Sequence, residues 1–344
     1  MPDPVRAAHA MTDSVFVTGA TGFLGRYLLA ALCRSGLRVR ALVRRPADHP
    51  WLAQYAGVEA VPGDVLNESA LARAAEGCRY AIHAAGLFRF WGDAADFEHT
   101  NVGGTERVIA AAPAAGCERI VHISTVYLIG TPPAAREIDE TSVPRPADPY
   151  QQSKLQAEQV ALRAAETGAP VIVLRPGAFY GPHGHYAFNR LFFRDPMRGL
   201  IMQLNGGRYI ILPVYVADVA QAALLAFTRG RVGEIYNICD APIAHKAAYD
   251  IICREARLWF PRLTLPDWVG IAAARALETI AHVTRREPFY PLNLRSYVYN
   301  YWRVSNAKAR TELDFVPTPF EHGARRTIAW YRAGMPTISP EVEC

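Results

Sequence analysis

A strand-forming run that breaks into three regularly spaced glycines and then enters a helix constrains this chain more than any other feature. Ser14–Gly25 reads SVFVTGATGFLG, with Gly19, Gly22 and Gly25 at the turn. Glycines at such a point let the chain leave a sheet sharply and let backbone approach a diphosphate with no Cβ in the way. The helix beginning near Phe23 then offers free N–H groups and the positive end of its dipole to the same place. Gly19, Thr21, Gly22, Phe23, Leu24 and Gly25 are therefore the candidate pyrophosphate contacts of a dinucleotide site. The spacing is G-x-x-G-x-x-G and differs from the G-x-G-x-x-G fingerprint.

The same texture continues downstream. β-Branched runs at 38–43, 58–61, 80–84, 119–124, 171–174 and 234–239 alternate with helical stretches at 23–35, 67–76, 102–115 and 149–166. Asn67 has the chemistry of an N-cap. Strands separated by helices of this length predict an α/β fold, a Rossmann-type doubly wound parallel sheet with ligands beyond the carboxyl ends of its strands. After Arg175 the chain turns rich in Gly, Pro, Phe and Tyr, and 241–335 reads as mostly helical between prolines. The expected organisation is a flexible leader (1–12), a cofactor domain (13–175 plus about 214–240), a smaller, mostly helical substrate lobe (176–213 plus 241–335) and a tail (336–344).

Composition excludes several classes. The chain is 51% hydrophobic and 20% charged with a net charge of +5, which is ordinary globular balance. Its basic residues are nearly all arginines, interleaved with alanine and acid, and read as solvated surface, so no nucleic-acid partner is expected. The six cysteines form no C-x-x-C pair and predict mostly buried free thiols in a reducing compartment, hence a cytoplasmic protein. No apolar run suits a secretory signal or a membrane span, and Trp268–Val283 reads as an amphipathic helix. His183-Gly184-His185 lacks a third ligand and reads as a glycine-rich loop, so no metal is expected.

Cofactor choice turns on the end of the second strand. An NAD site keeps an acid there for the ribose 2′-hydroxyl, whereas Val43 is followed by Arg44 and Arg45. Arginine suits a 2′-phosphate, so NADP(H) is favoured over NAD(H). Asp64 and Val65 close the third strand where the adenine edge would lie. Ala84, Ala85 and Gly86 follow the fourth, and their small size lets a cofactor lie against backbone. His83 reads as a satisfied core histidine.

Tyr150 and Lys154 are four apart on one face of a predicted helix, and Ser124-Thr125 ends an earlier strand of the same sheet. Hydroxyl, phenol and ammonium are the groups that ketone–alcohol interconversion requires. Thr125 would orient the carbonyl, Tyr150 would transfer the proton, and Lys154 would hold the ribose and stabilise phenolate. Lowering a phenol pKa from about 10 toward neutrality needs roughly 4 kcal/mol of differential stabilisation.

In order, TGATGFLG, Asp64, HAAG at 83–86, Asn101, Ser124-Thr125, YQQSK at 150–154 and Arg175-Pro176-Gly177 resemble the extended short-chain dehydrogenase/reductases of the NAD-dependent epimerase/dehydratase superfamily. The resemblance covers nearly all of 13–335. It implies a Rossmann-type NAD(P) domain, a Ser/Thr–Tyr–Lys catalytic set and often a homodimer built on helices flanking the active site. Asn101, Ser124, Pro176 and Gly177 thereby join the cofactor candidates. The pattern from Trp302 to Pro317 is similar to the 3β-hydroxysteroid dehydrogenase-like and hopanoid-associated epimerase-like branches.

Two departures narrow the chemistry. Thr125 is followed by Val126-Tyr127, without the Asp-Glu of sugar-nucleotide dehydratases, which need an extra acid and base. Before Tyr215-Val216-Ala217-Asp218, Ile211 stands where nucleotide-sugar epimerases place a phosphate-binding arginine. The candidate pocket residues, Phe88, Trp91, Phe179, Tyr180, Phe188 and Phe192, are instead apolar. The expected protein is an NAD(P)-dependent oxidoreductase acting on a ketone/alcohol pair in a hydrophobic small molecule. A nucleotide-sugar epimerase using transient hydride transfer, and a non-catalytic NADP-binding sensor or assembly factor, are the alternatives.

Overall fold

The computed structural model describes residues 13–130, 137–259 and 262–343. The expected leader and Cys344 lie outside the described residues. Seven strands, β1 (Ser14–Thr18), β2 (Arg38–Val43), β3 (Val58–Pro62), β4 (Tyr80–His83), β5 (Arg119–Ile123), β6 (Val171–Pro176) and β7 (Ile235–Ile238), pair in the order β7-β6-β5-β4-β1-β2-β3. Every pairing is parallel. The order reverses between β1 and β4, so the strand ends diverge there and leave the crevice in which such sheets bind ligands.

Helices cover both faces. One face packs α1 (Phe23–Arg34) against α5 (Val216–Arg229), and the other carries α2 (Glu68–Ala75), α3 (Gly103–Ala114) and α4 (Pro149–Glu166). Two separate apolar cores result: Val15, Val17, Leu28 and Val219 belong to the first, and Phe16, Leu71, Val108 and Val171 to the second. Adjacent residues of one strand thus serve opposite faces, as the pleat requires. Asn67 caps α2 by accepting from Ala70 N at 3.0 Å. A π-helical turn at Glu98–Val102 leads into α3.

The C-terminal lobe contains α6 (His245–Glu255), α7 (Asp267–Thr284), α8 (Phe320–Arg332) and several strands of two or three residues. It is held by aromatic clusters, one around Tyr127, Tyr297 and Trp302 and another around Tyr180, Phe193 and Phe320. The stretch after residue 335 is hydrogen-bonded back to the first half of the chain. Arg26 donates to Thr337 O at 3.1 Å, Tyr55 OH to Val342 O at 2.6 Å and Arg34 to Glu343 O at 2.7 Å. This segment straps the lobe onto α1.

Among the described cysteines, Cys78, Cys117 and Cys239 are buried free thiols and Cys253 a half-buried one.

Candidate active site

A cavity of about 630 Å³ opens at the carboxyl ends of β1, β4 and β5, running from the glycine loop past Tyr150 and Lys154 into the C-terminal lobe. That volume is typical of small-molecule and cofactor sites.

The glycine loop forms its floor at one end. Gly22 N donates to Gly19 O at 3.0 Å, closing the turn. Gly19 has φ +76°, and a Cβ there would lie 2.6 Å from the Ala84 carbonyl; a Cβ at Gly25 would lie 2.2 Å from Gly19 O. A side chain is thus excluded at Gly19 by both backbone conformation and space, and at Gly25 by space. Gly22 caps α1 without a side-chain acceptor, and the first turn of α1 holds no acid. Its N–H groups are therefore left for an anion, and Gly22, Phe23, Leu24 and Gly25 all face the cavity. These residues fit a dinucleotide diphosphate.

Helix α4 carries the proton-transfer candidates into the middle of the cavity. Asp148 accepts from Gln151 N at 2.9 Å and Pro149 occupies the first turn, so the helix start is set locally. Lys154 Nζ donates to Ile123 O at 2.7 Å, which ties the helix to the end of β5. Burial lowers the lysine pKa to about 8, opposed by the charge of Glu158. Tyr150 moves the other way: burial, and then the charge of Asp148, raise its phenol above the ordinary value of 10. The protein by itself therefore does not bring the phenol toward neutrality. It keeps Tyr150 protonated at neutral pH, the form required of a proton donor. Ser124 and Thr125 line the same wall, with Thr125 Oγ1 accepting from Tyr127 N at 3.2 Å and the buried Ser124 Oγ left without a protein partner.

The far wall is aromatic. Phe88 lies 4.8 Å from the Tyr150 ring, and Phe90, Tyr186 and Tyr297 surround it. Phe179, Phe188, Phe192 and Ile211 complete the apolar side. Of the arginines among the described residues, Arg26 alone lines the cavity; its guanidinium stacks 3.8 Å over Trp51 at the glycine-loop end.

Other sequence candidates lie elsewhere. Tyr180 is core, stacked on Phe193 and donating to Phe320 O at 3.2 Å, because its strand turns that ring away from the cavity. Trp91 is not in the wall. Asn101 is a brace: its amide pairs with Leu87 N at 2.7 Å and Leu87 O at 3.1 Å, and donates to Ser153 Oγ at 2.9 Å. It holds the loop after β4 against α4. Pro176 ends β6 behind the wall, whereas Gly177 is part of it. Arg44 follows β2, and Asp64 and Val65 follow β3, beyond the cavity wall. Arg44 is exposed and has no ion pair among the described residues, and Asp64 accepts from Leu66 N at 3.0 Å.

Several contributors, Arg26, Phe90 and Tyr186 among them, were not sequence candidates. Tyr127 and Tyr297 line the cavity, and Met335, Pro336 and Thr337 form part of its rim. Tyr127 was visible beside Thr125, but nothing local signals that Tyr297 or the strap returns to this crevice. His83 is the satisfied core histidine expected, bridging Thr18 at 2.7 Å and Thr105 at 3.0 Å.

Comparison with known proteins agrees with this arrangement. The profile of the NAD dependent epimerase/dehydratase family matches residues 15–239. A 4-hydroxy-2-methyl-3-oxo-4-farnesyl-3,4-dihydroquinoline-1-oxide ketoreductase of Stigmatella aurantiaca is 33% identical over 87% of this chain and 91% of its own. A ceramide reductase of Caulobacter vibrioides is 32% identical over 93% and 94%. The crystal structure of gox2253 superposes with a TM-score of 0.79 at 28% identity, covering 94% of this chain and 98% of its own. On its sequence and its fold alike, the chain belongs to the NAD-dependent epimerase/dehydratase family of extended short-chain dehydrogenase/reductases.

Proposed function

We propose that this protein is an NADP(H)-preferring reductase of a ketone in a lipophilic small molecule. The observation that carries the reading is the composition of one continuous cavity: a diphosphate cradle, then Thr125, Tyr150 and Lys154, then an aromatic wall with Ile211 in place of a phosphate-binding arginine. Two relatives named as reductases of a farnesylated quinoline and of ceramide support a lipophilic substrate. Arg44, exposed at the end of β2 and without an ion pair among the described residues, supports the 2′-phosphate preference. The family habit of pairing through helices such as α3 and α4 supports a homodimer.

The glycine loop and Lys154 would hold a nicotinamide dinucleotide, whose chemistry would be to supply a hydride to the carbonyl carbon. The Thr125 hydroxyl donates to the carbonyl oxygen and fixes its orientation. Tyr150, whose phenol burial holds in the protonated form, would give its proton to that oxygen. The Lys154 ammonium then stabilises the phenolate left behind. Phe88 packs against the phenol ring, and Tyr297 lines the same end of the cavity.

The test is net turnover. Stoichiometric loss of NADPH with hydrophobic ketones, and no interconversion of UDP-sugars, is expected. UDP-sugar epimerisation without net cofactor consumption would overturn the reading in favour of an epimerase.

A further inference from the structure

The C-terminal lobe carries an apolar surface outside the cavity. Along α7, Trp268, Ala272, Ala276, Ile280 and Val283 fall on one exposed side, with Trp268 70% and Val283 84% exposed. The acids of α7 point elsewhere: Asp267 accepts from the Tyr209 hydroxyl and Glu278 from Leu292 N. Arg275 stands on the exposed side and Arg285 and Arg286 follow the helix end; none has an ion pair among the described residues.

Trp259, 92% exposed, and the exposed Leu263 precede this helix, and Leu263 N donates to Ile201 O, which places it beside exposed Leu200. Leu200 and Phe289 line a second, smaller cavity that shares Leu191, Phe192 and Val298 with the main one. The apolar surface therefore adjoins the substrate end of the site.

An apolar patch of this kind marks an interaction surface. A second copy of the chain fits poorly, because a two-fold contact would set these arginines against one another with no outward acid on α7 to offset them. An anionic bilayer surface fits: a helix with an apolar exposed side and flanking arginines lies in the headgroup region. No helix among the described residues is long and apolar enough to cross a membrane. We propose that the face formed by α7 and its flanking segments docks peripherally on anionic lipid, and that a lipophilic ketone enters from the bilayer on the Leu200–Phe289 side. Only the entry route rests on the reductase reading.

Flotation of the full chain with liposomes tests docking without turnover. Co-flotation with phosphatidylcholine/phosphatidylglycerol vesicles and weak flotation with phosphatidylcholine alone is expected. Arg285→Ala/Arg286→Ala should lower partitioning about five-fold per arginine, and Trp268→Glu/Val283→Glu should abolish it, both with unchanged circular dichroism. Absence of flotation, flotation indifferent to both pairs, or a dimer that Trp268→Glu/Val283→Glu dissociates would overturn docking. The glutamate variant should also lose activity on a vesicle-borne ketone while retaining kcat on a short soluble one; equal activity on both would overturn the entry route. Failure to reduce any ketone, with flotation intact, would count against the reductase reading alone.

Discussion

Replacing Glu158 by glutamine probes what holds the proposed active-site helix. Glu158 lies on α4 one turn after Lys154, and its carboxylate accepts from Arg175 Nε at 2.9 Å and Nη2 at 2.5 Å. Both side chains are almost fully buried, and the other contact to this guanidinium is the Glu140 carbonyl at 3.5 Å. Removing one charge of such a pair strands the other in low dielectric, at about 3–5 kcal/mol. Glutamine keeps the volume and one acceptor, so a loss of about 3 kcal/mol is expected, read as a lower denaturant midpoint with unchanged slope. Glu158→Gln/Arg175→Met should recover much of that loss, because no buried charge remains. A second readout is independent of stability. The Glu158 charge supports protonation of Lys154, so Glu158→Gln should move the alkaline limb of kcat below its wild-type position near pH 8. A single variant within about 1 kcal/mol of wild type, as for an exposed pair, with the limb unmoved, would refute this account.

Tyr150→Phe should retain cofactor binding while ketone turnover falls by about 10²–10⁴-fold; wild-type turnover would show that another group is the acid. Thr125→Val should impair turnover similarly and Thr125→Ser should largely preserve it, as steady-state rates on the same ketone will show. In the wild-type enzyme the required ammonium exists below the Lys154 pKa, so kcat should hold at neutral pH and fall as pH rises through about 8; a profile flat to pH 10 would exclude a role for that charge. Arg44→Ala should weaken NADP(H) selectively by about 1.5–3 kcal/mol, the loss of one charge-assisted hydrogen bond, with NAD(H) affinity unchanged in calorimetric titration.

The cofactor half was legible because its determinants are local. A glycine where a Cβ would strike backbone, an Asp-Pro helix start before Tyr150, and β-branched runs at βαβ spacing each act within a few residues, and the strands fell where their patterns placed them. A one-residue choice of sheet face was harder. Phe179 reached the cavity and Tyr180 did not, since successive strand residues point to opposite sides and both are aromatic. Asn101 carries the motif's residue type, but only the packed loop shows that its amide is consumed by Leu87 and Ser153.

What the sequence by itself determined was the sheet, the glycine cradle and the presence of a hydroxyl, a phenol and an amine at strand and helix positions that open to one crevice. Tertiary structure decided which side chains enclose them. Tyr297 and the 335–337 rim arrive from residues far along the chain, and Tyr150 acquires its raised pKa through burial beneath Phe88 and beside Asp148. Desolvation and long-range closure depend on which distant segments exclude water from a given point, and no local pattern of residue types encodes that.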